Sequence, residues 1–107
     1  MNALNVVTVS SEMVPLAKTG GLGDVCGALP VALSKLGVKC TGFLPAFRSA
    51  LHSGLVIEPT DHTFTVELPD KHVACRLLKT TLPGSDVTIY LIDQPQYFDR
   101  DGLYSDG

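Results

Sequence analysis

Lys18-Thr19-Gly20-Gly21-Leu22-Gly23-Asp24 separates two segments of different rhythm, and that change of rhythm decides the fold. Before it, Leu4-Asn5-Val6-Val7-Thr8-Val9-Ser10 is short, β-branched and nearly continuous in apolar character, the pattern of a strand buried on both faces. After it, from Gly23 onward, Val25, Ala28, Leu29, Ala32, Leu33 and Leu36 fall at helical spacings and form one apolar stripe. Gly37 closes that helix as the preferred residue just beyond a C-terminus. Strand, glycine-rich turn and helix in this order set backbone N–H groups at a helix N-terminus, where unpaired donors and the helix dipole attract an anion, usually a phosphate. Glycines permit close backbone approach, and Lys18 adds a mobile positive charge at the same mouth.

Working outward, Ser11 to Leu22 contains Pro15 and several polar or flexible residues and reads as loop. Pro30 interrupts the helical pattern, since proline removes a backbone hydrogen bond and crowds the preceding turn. Either the helix kinks there, or Gly21 to Leu29 is a separate first turn and a half. Val38 to Leu44 is a second strand ended by Pro45, and a strand–helix–strand unit implies a parallel pair with a right-handed crossover. Thr63 to Leu68, Val73 to Lys79 and Val87 to Ile92 are further strand-like segments. The short turns Pro69-Asp70-Lys71 and Pro83-Gly84-Ser85 between them favour antiparallel neighbours. The most apolar of them, Val87 to Ile92, is expected to return to the parallel sheet. The stretch from Asp93 to Gly107 shows no periodicity.

Composition bounds the function. The 107 residues make one domain or part of one, and 45% hydrophobic with 18% charged residues is a globular balance. A net charge of −3, from 8 basic and 11 acidic residues scattered singly, leaves no footprint for nucleic acid and no polybasic membrane patch. No apolar run approaches the roughly 20 residues a membrane span requires. Met1-Asn2-Ala3-Leu4-Asn5 lacks the basic start of a secretory signal, which gives a cytoplasmic expectation. Cys26, Cys40 and Cys75 are widely spaced and read as buried small apolar groups in a reducing compartment. His52, His62 and His72 match neither helical nor strand periodicity and read as surface residues. No metal site is expected.

Two better-known phosphate motifs fail. A P-loop needs Lys directly after its last glycine, whereas Lys18 precedes the glycines. A dinucleotide fingerprint needs G-x-G-x-x-G and an acid at the end of the second strand. Gly21, Gly23 and Gly27 leave one residue too many, and the second strand ends Gly42-Phe43-Leu44-Pro45.

The run Ser10-Ser11-Glu12-Met13-Val14-Pro15-Leu16-Ala17-Lys18-Thr19-Gly20-Gly21-Leu22-Gly23-Asp24-Val25 closely resembles the opening motif of bacterial glycogen synthases and plant starch synthases, glycosyltransferase family 5. Gly27-Ala28-Leu29-Pro30, Leu44-Pro45-Ala46-Phe47, and Tyr90-Leu91-Ile92-Asp93 leading into Tyr97-Phe98-Asp99-Arg100 extend the resemblance in order. It implies an α/β fold: residues 1–107 as the N-terminal part of a partial Rossmann-like domain in a two-domain, GT-B type enzyme. The expected architecture is a parallel βαβ core plus antiparallel strands, with the C-terminal nucleotide-binding domain lying outside the chain.

The implied activity is retaining transfer of glucose from ADP-glucose to the non-reducing end of an α-1,4-glucan. ADP-glucose is the donor substrate and no cofactor is implied; the partners are the glucan and the missing C-terminal portion. A plant relative would place the protein in the plastid. By the same resemblance Lys18 neutralises the donor diphosphate, and Gly20 and Gly21 offer N–H groups to its oxygens. Asp24 is the catalytic-cleft aspartate facing the sugar, although in a first helical turn it can also simply help cap the helix. Phe98 stands where relatives carry an aromatic, often Tyr, that contacts sugar; lacking the hydroxyl, it has no hydrogen-bonding role. Asp101 stands where relatives commonly have Pro. Glu12 anchors the loop rather than performing chemistry. Two alternatives remain beside this reading: a non-catalytic glucan- or partner-binding module, and a fragment of a dinucleotide-binding oxidoreductase.

Overall fold

The computed structural model describes residues 4–99. In chain order these form β1 (Asn5–Val9), α1 (Gly21–Lys35), β2 (Lys39–Pro45), α2 (Arg48–Leu51), β3 (Glu58–Leu68), β4 (Lys71–Thr81), β5 (Thr88–Asp93) and α3 (Pro95–Phe98). The strands make one sheet in the order β1-β2-β5-β4-β3. β1, β2 and β5 run parallel, with Val6 opposite Cys40 and Gly42 opposite Ile89. β4 is antiparallel to both β5 and β3. The expected parallel pair, the return of the last strand to it and the antiparallel excursion are all present.

α1 runs unbroken through Pro30, so the version with a separate N-terminal turn does not apply, and the helix starts at Gly21 rather than Gly23. Its end is a Schellman motif. Gly37 adopts φ +86°, its N–H bonds to Ser34 O (3.1 Å), and the Val38 N–H reaches Leu33 O (3.1 Å).

The apolar stripe requires correction. Val25, Ala28, Leu29, Ala32 and Leu36 are exposed, Leu36 to 79%, and of the six stripe residues Leu33 alone is half-buried. The inward face instead carries Gly23, Cys26, Gly27, Pro30 and Val31. The cause is close approach: a Cβ at Gly27 would lie 2.5 Å from the Val14 carbonyl oxygen, so small residues must face the loop for the helix to seat.

β1 also departs from expectation. It lies at the edge of the sheet, with Val6 packed against the core while Val7 and Val9 are 62% and 76% exposed on the other face. The core gathers on one side of the sheet from Met13, Leu16, Leu44, Ile89 and Leu91, with Phe47, Ala50 and Leu82. On the opposite face Phe43 and Tyr90, register neighbours on β2 and β5, stack at 5.4 Å and stay half-buried.

The β3–β4 hairpin is longer than its alternating pattern indicated. Its register shifts between Pro59 and Thr63, where Thr60 Oγ1 donates to Leu77 O (2.7 Å) and accepts from the His62 N–H (3.1 Å). Cys40 and Cys75 are buried, Cys26 is half-buried, and all three are free thiols; His52, His62 and His72 are exposed. Among the described residues no helix is long and apolar enough to cross a membrane.

Candidate functional site

The loop after β1 is fastened before it reaches its glycines. Met13, Leu16 and Ala17 are at most 3% exposed and fill the core above the sheet. The loop closes on itself through Met13 N–H to Ala17 O (2.8 Å) and Ala17 N–H to Met13 O (2.9 Å). Val14 N–H donates to Gly23 O (3.0 Å), tying it to the first turn of α1. Anchored residues on both sides therefore carry Lys18 to Leu22 out to the rim, at the carboxyl end of β1, the end where ligands of α/β sheets bind.

At that rim the Lys18 ammonium lies 3.0 Å from Asp24 Oδ1, with both side chains about half exposed (51% and 57%). Gly23 makes this possible, because a Cβ there would come within 3.3 Å of the Lys18 stem and the Ala17 carbonyl. Gly20 and Gly21 differ from Gly23 and Gly27: an added Cβ at either would meet nothing within 4 Å. Their missing side chains leave open space in front of the turn.

Glu12, 4% exposed, accepts the Thr19 N–H (2.9 Å) and the Gly20 N–H (3.0 Å) on Oε1. The Gly20 donor is thus already engaged, which narrows the expectation that both glycines offer N–H groups to a ligand. α1 begins at Gly21 with no side-chain cap, so the Gly21 and Leu22 N–H groups have no intrahelical acceptor and lie at the positive end of the helix dipole. The Leu22 amide was not singled out in the sequence, because glycine marks where a backbone can come close to a ligand and Leu22 carries a side chain.

Asp24 sits in the first turn of α1 and spends its carboxylate on Lys18. Phe98 lies at the same carboxyl edge of the sheet, after β5 rather than β1. Its half-buried ring meets Phe47 edge-on at 5.7 Å and 81°. Arg48 braces this corner, its Nε donating to Asp99 Oδ1 (3.0 Å). Asp101 lies outside the described residues. Among the described residues no cluster of His, Cys, Asp and Glu is arranged to hold a metal.

An anchored turn with a lysine, uncapped helix amides and open glycines, set at the carboxyl end of the first parallel strand, defines an α/β domain of the Rossmann-like kind with a glycine-rich β1–α1 junction. The chain belongs to the starch synthase catalytic domain family, which matches residues 5–107. It is 46% identical to a glycogen synthase of Rhodopirellula baltica, covering 96% of this chain and 22% of that protein. It is 40% identical to a glycogen synthase of Syntrophotalea carbinolica, covering 94% and 20%. In structure it resembles the catalytic domain of starch synthase IV from Arabidopsis thaliana, solved bound to ADP and acarbose. That match has a TM-score of 0.84 and 26% identity over 97% of this chain and 22% of that one. The chain spans about a fifth of the length of the curated relatives it matches.

Proposed function

We propose that this chain forms the donor-phosphate side of a retaining glucosyltransferase, as the N-terminal part of a two-domain, GT-B type enzyme that extends an α-1,4-glucan from ADP-glucose. The observation that carries the reading is the β1–α1 junction, in which Lys18, the Gly21 and Leu22 amides and the open space before Gly20 and Gly21 converge on one rim. The ADP and acarbose bound by the structural relative support a nucleotide and a glucan-like ligand.

Transfer breaks the bond between the sugar's anomeric carbon and the diphosphate oxygen, so negative charge grows on the departing phosphate. Donors fixed where charge develops stabilise that transition state more than the ground state. Lys18 supplies a full charge there, and the amides of the helix start supply partial charges without reorganisation. Asp24, beside Lys18, faces the sugar. Phe98 is assigned a sugar contact through the part of its ring that Phe47 leaves uncovered. The donor substrate brings the leaving group, and the reading invokes no cofactor and a cytoplasmic setting.

The test is a chimera: the R. baltica glycogen synthase with its matching stretch replaced by this chain. Incorporation of labelled glucose from ADP-glucose into glycogen, abolished by removing the chain's segment, is the expected result. A folded chimera that binds no ADP would sink the reading.

A further inference from the structure

Glu12 is a carboxylate placed where burial is expensive, and the structure shows what it does there. At 4% exposure it has lost most of its water, a loss that costs several kcal/mol for an ion unless hydrogen bonds replace it. Oε1 recovers two, from Thr19 and Gly20, the consecutive amides that lead into α1. The Ser10 hydroxyl donates to the Glu12 carbonyl (2.8 Å), which holds the residue's own backbone in place. Two consecutive N–H groups aimed at one oxygen make an anion-binding arrangement of the kind that phosphates use. Here it is already filled by a side chain of the protein.

We propose that Glu12 is a positioning residue for the donor phosphates: an internal anion that locks the Thr19–Gly20 peptides in one orientation. It thereby fixes where Lys18 and the Gly21 amide point. The proposal rests on the reading of the turn as the donor-phosphate site and adds its direction of control. Without the carboxylate, Thr19 and Gly20 have no fixed acceptor and the glycines can rotate freely, so the rim loses its preorganisation.

Two variants test the alignment. Glu12→Gln keeps an acceptor oxygen of the right length and removes the charge; Glu12→Ala removes both. In the 107-residue chain, amide exchange at Thr19 and Gly20 should be slow in the wild type, similar in Glu12→Gln and fast in Glu12→Ala. In the chimera, Glu12→Ala should lower kcat/KM for ADP-glucose by about tenfold or more, the scale of losing charge-assisted hydrogen bonds. Glu12→Gln should recover most of that loss. A Gln variant as impaired as Ala would overturn the proposal, as would turnover and exchange indifferent to both changes. A wild-type chimera that binds no ADP removes the functional reading and this proposal together. A working chimera insensitive to Glu12 removes the proposal alone.

Discussion

Lys18 Nζ and Asp24 Oδ1 stand 3.0 Å apart across the entry to α1, half exposed on both sides. An exposed pair of this kind is worth about 0–1 kcal/mol. A charge-assisted contact from an ammonium to a phosphate is worth roughly 1.5–3 kcal/mol. If Lys18 faces the donor phosphates as proposed, the comparison sets the direction of exchange: an arriving diphosphate should take Lys18 from Asp24.

Lys18→Ala in the chimera should therefore lower kcat/KM with ADP-glucose by about 1.5–3 kcal/mol, roughly ten- to hundredfold. Lys18→Arg should recover part of it, because the guanidinium fork is broader than an ammonium and meets the phosphate differently. Steady-state kinetics on the two variants give the answer. Unchanged kinetics in the alanine variant would make Lys18 a bystander.

Asp24→Asn separates binding from chemistry. Freed from its partner, Lys18 should hold ADP more tightly, by no more than about 1 kcal/mol, the upper worth of the exposed pair. Turnover should fall in the same variant if Asp24 faces the sugar as proposed. Titration calorimetry with ADP beside kcat measures both. Weaker ADP binding would mean that Asp24 shapes the turn instead of competing for its lysine.

The glycines of the motif divide into two kinds, and the division can be measured. Gly27→Ala would set a Cβ 2.5 Å from the Val14 carbonyl oxygen, and a backbone oxygen has little room to yield. Overpacking of this kind costs about 1–3 kcal/mol, so the variant should melt earlier. Gly20 has nothing within 4 Å, so Gly20→Val should leave the melting temperature nearly unchanged while impairing turnover at least as strongly as Lys18→Ala. A thermal melt and an ADP-glucose assay on both variants would show whether the two losses dissociate.

The sheet was legible where one physical signal dominated. Leu4 to Ser10 and Val38 to Leu44 read as short apolar strands, and the glycine turn between strand and helix marked the rim. The Glu12 anchor was also legible, from its place just before the motif. The stripe on α1 misled for a reason visible in the packing. Periodicity finds apolar residues at helical spacing, but α1 has a second inward face made of Gly23, Gly27 and Pro30, which hydrophobicity does not score. Close approach to Val14, a contact between segments, selects that face. The extension of β3 back to Glu58 was hidden by Pro59 and Asp61, residues that read as loop, yet a register shift lets the strand carry them.

Thr8 offers a stability test free of catalysis. Its hydroxyl is buried on the core face of β1 without a hydrogen-bond partner among the described residues. An unsatisfied buried hydroxyl costs about 1–3 kcal/mol, and replacing it by an apolar group of the same shape is neutral or stabilising. Thr8→Val should accordingly raise the melting temperature or leave it unchanged, and the β-branched side chain suits a strand equally well. A clear fall in melting temperature would show that the hydroxyl has found a partner in solution.

The last prediction concerns the 107-residue polypeptide by itself: it should associate with itself and transfer no glucose. Val7 and Val9 on the edge strand, and Val25, Leu29 and Leu36 on α1, are between 49% and 79% exposed. A parallel sheet normally has both faces covered, and an open apolar edge strand is a template for pairing with another chain. Burying these groups between copies gains about 25 cal/mol for each Å² removed from water, enough to drive association at modest concentration. Val9→Lys should weaken it by charging an apolar residue of β1 that is 76% exposed, and light scattering over a concentration series would record the change. Transfer is a separate matter. Closing a donor between two domains excludes water and completes the catalytic groups, and on the proposed reading the residues on this rim supply only the phosphate side. Glucose incorporation into glycogen by a verified monomer of this polypeptide would contradict the two-domain reading. It would require these 107 residues to hold the whole of the chemistry.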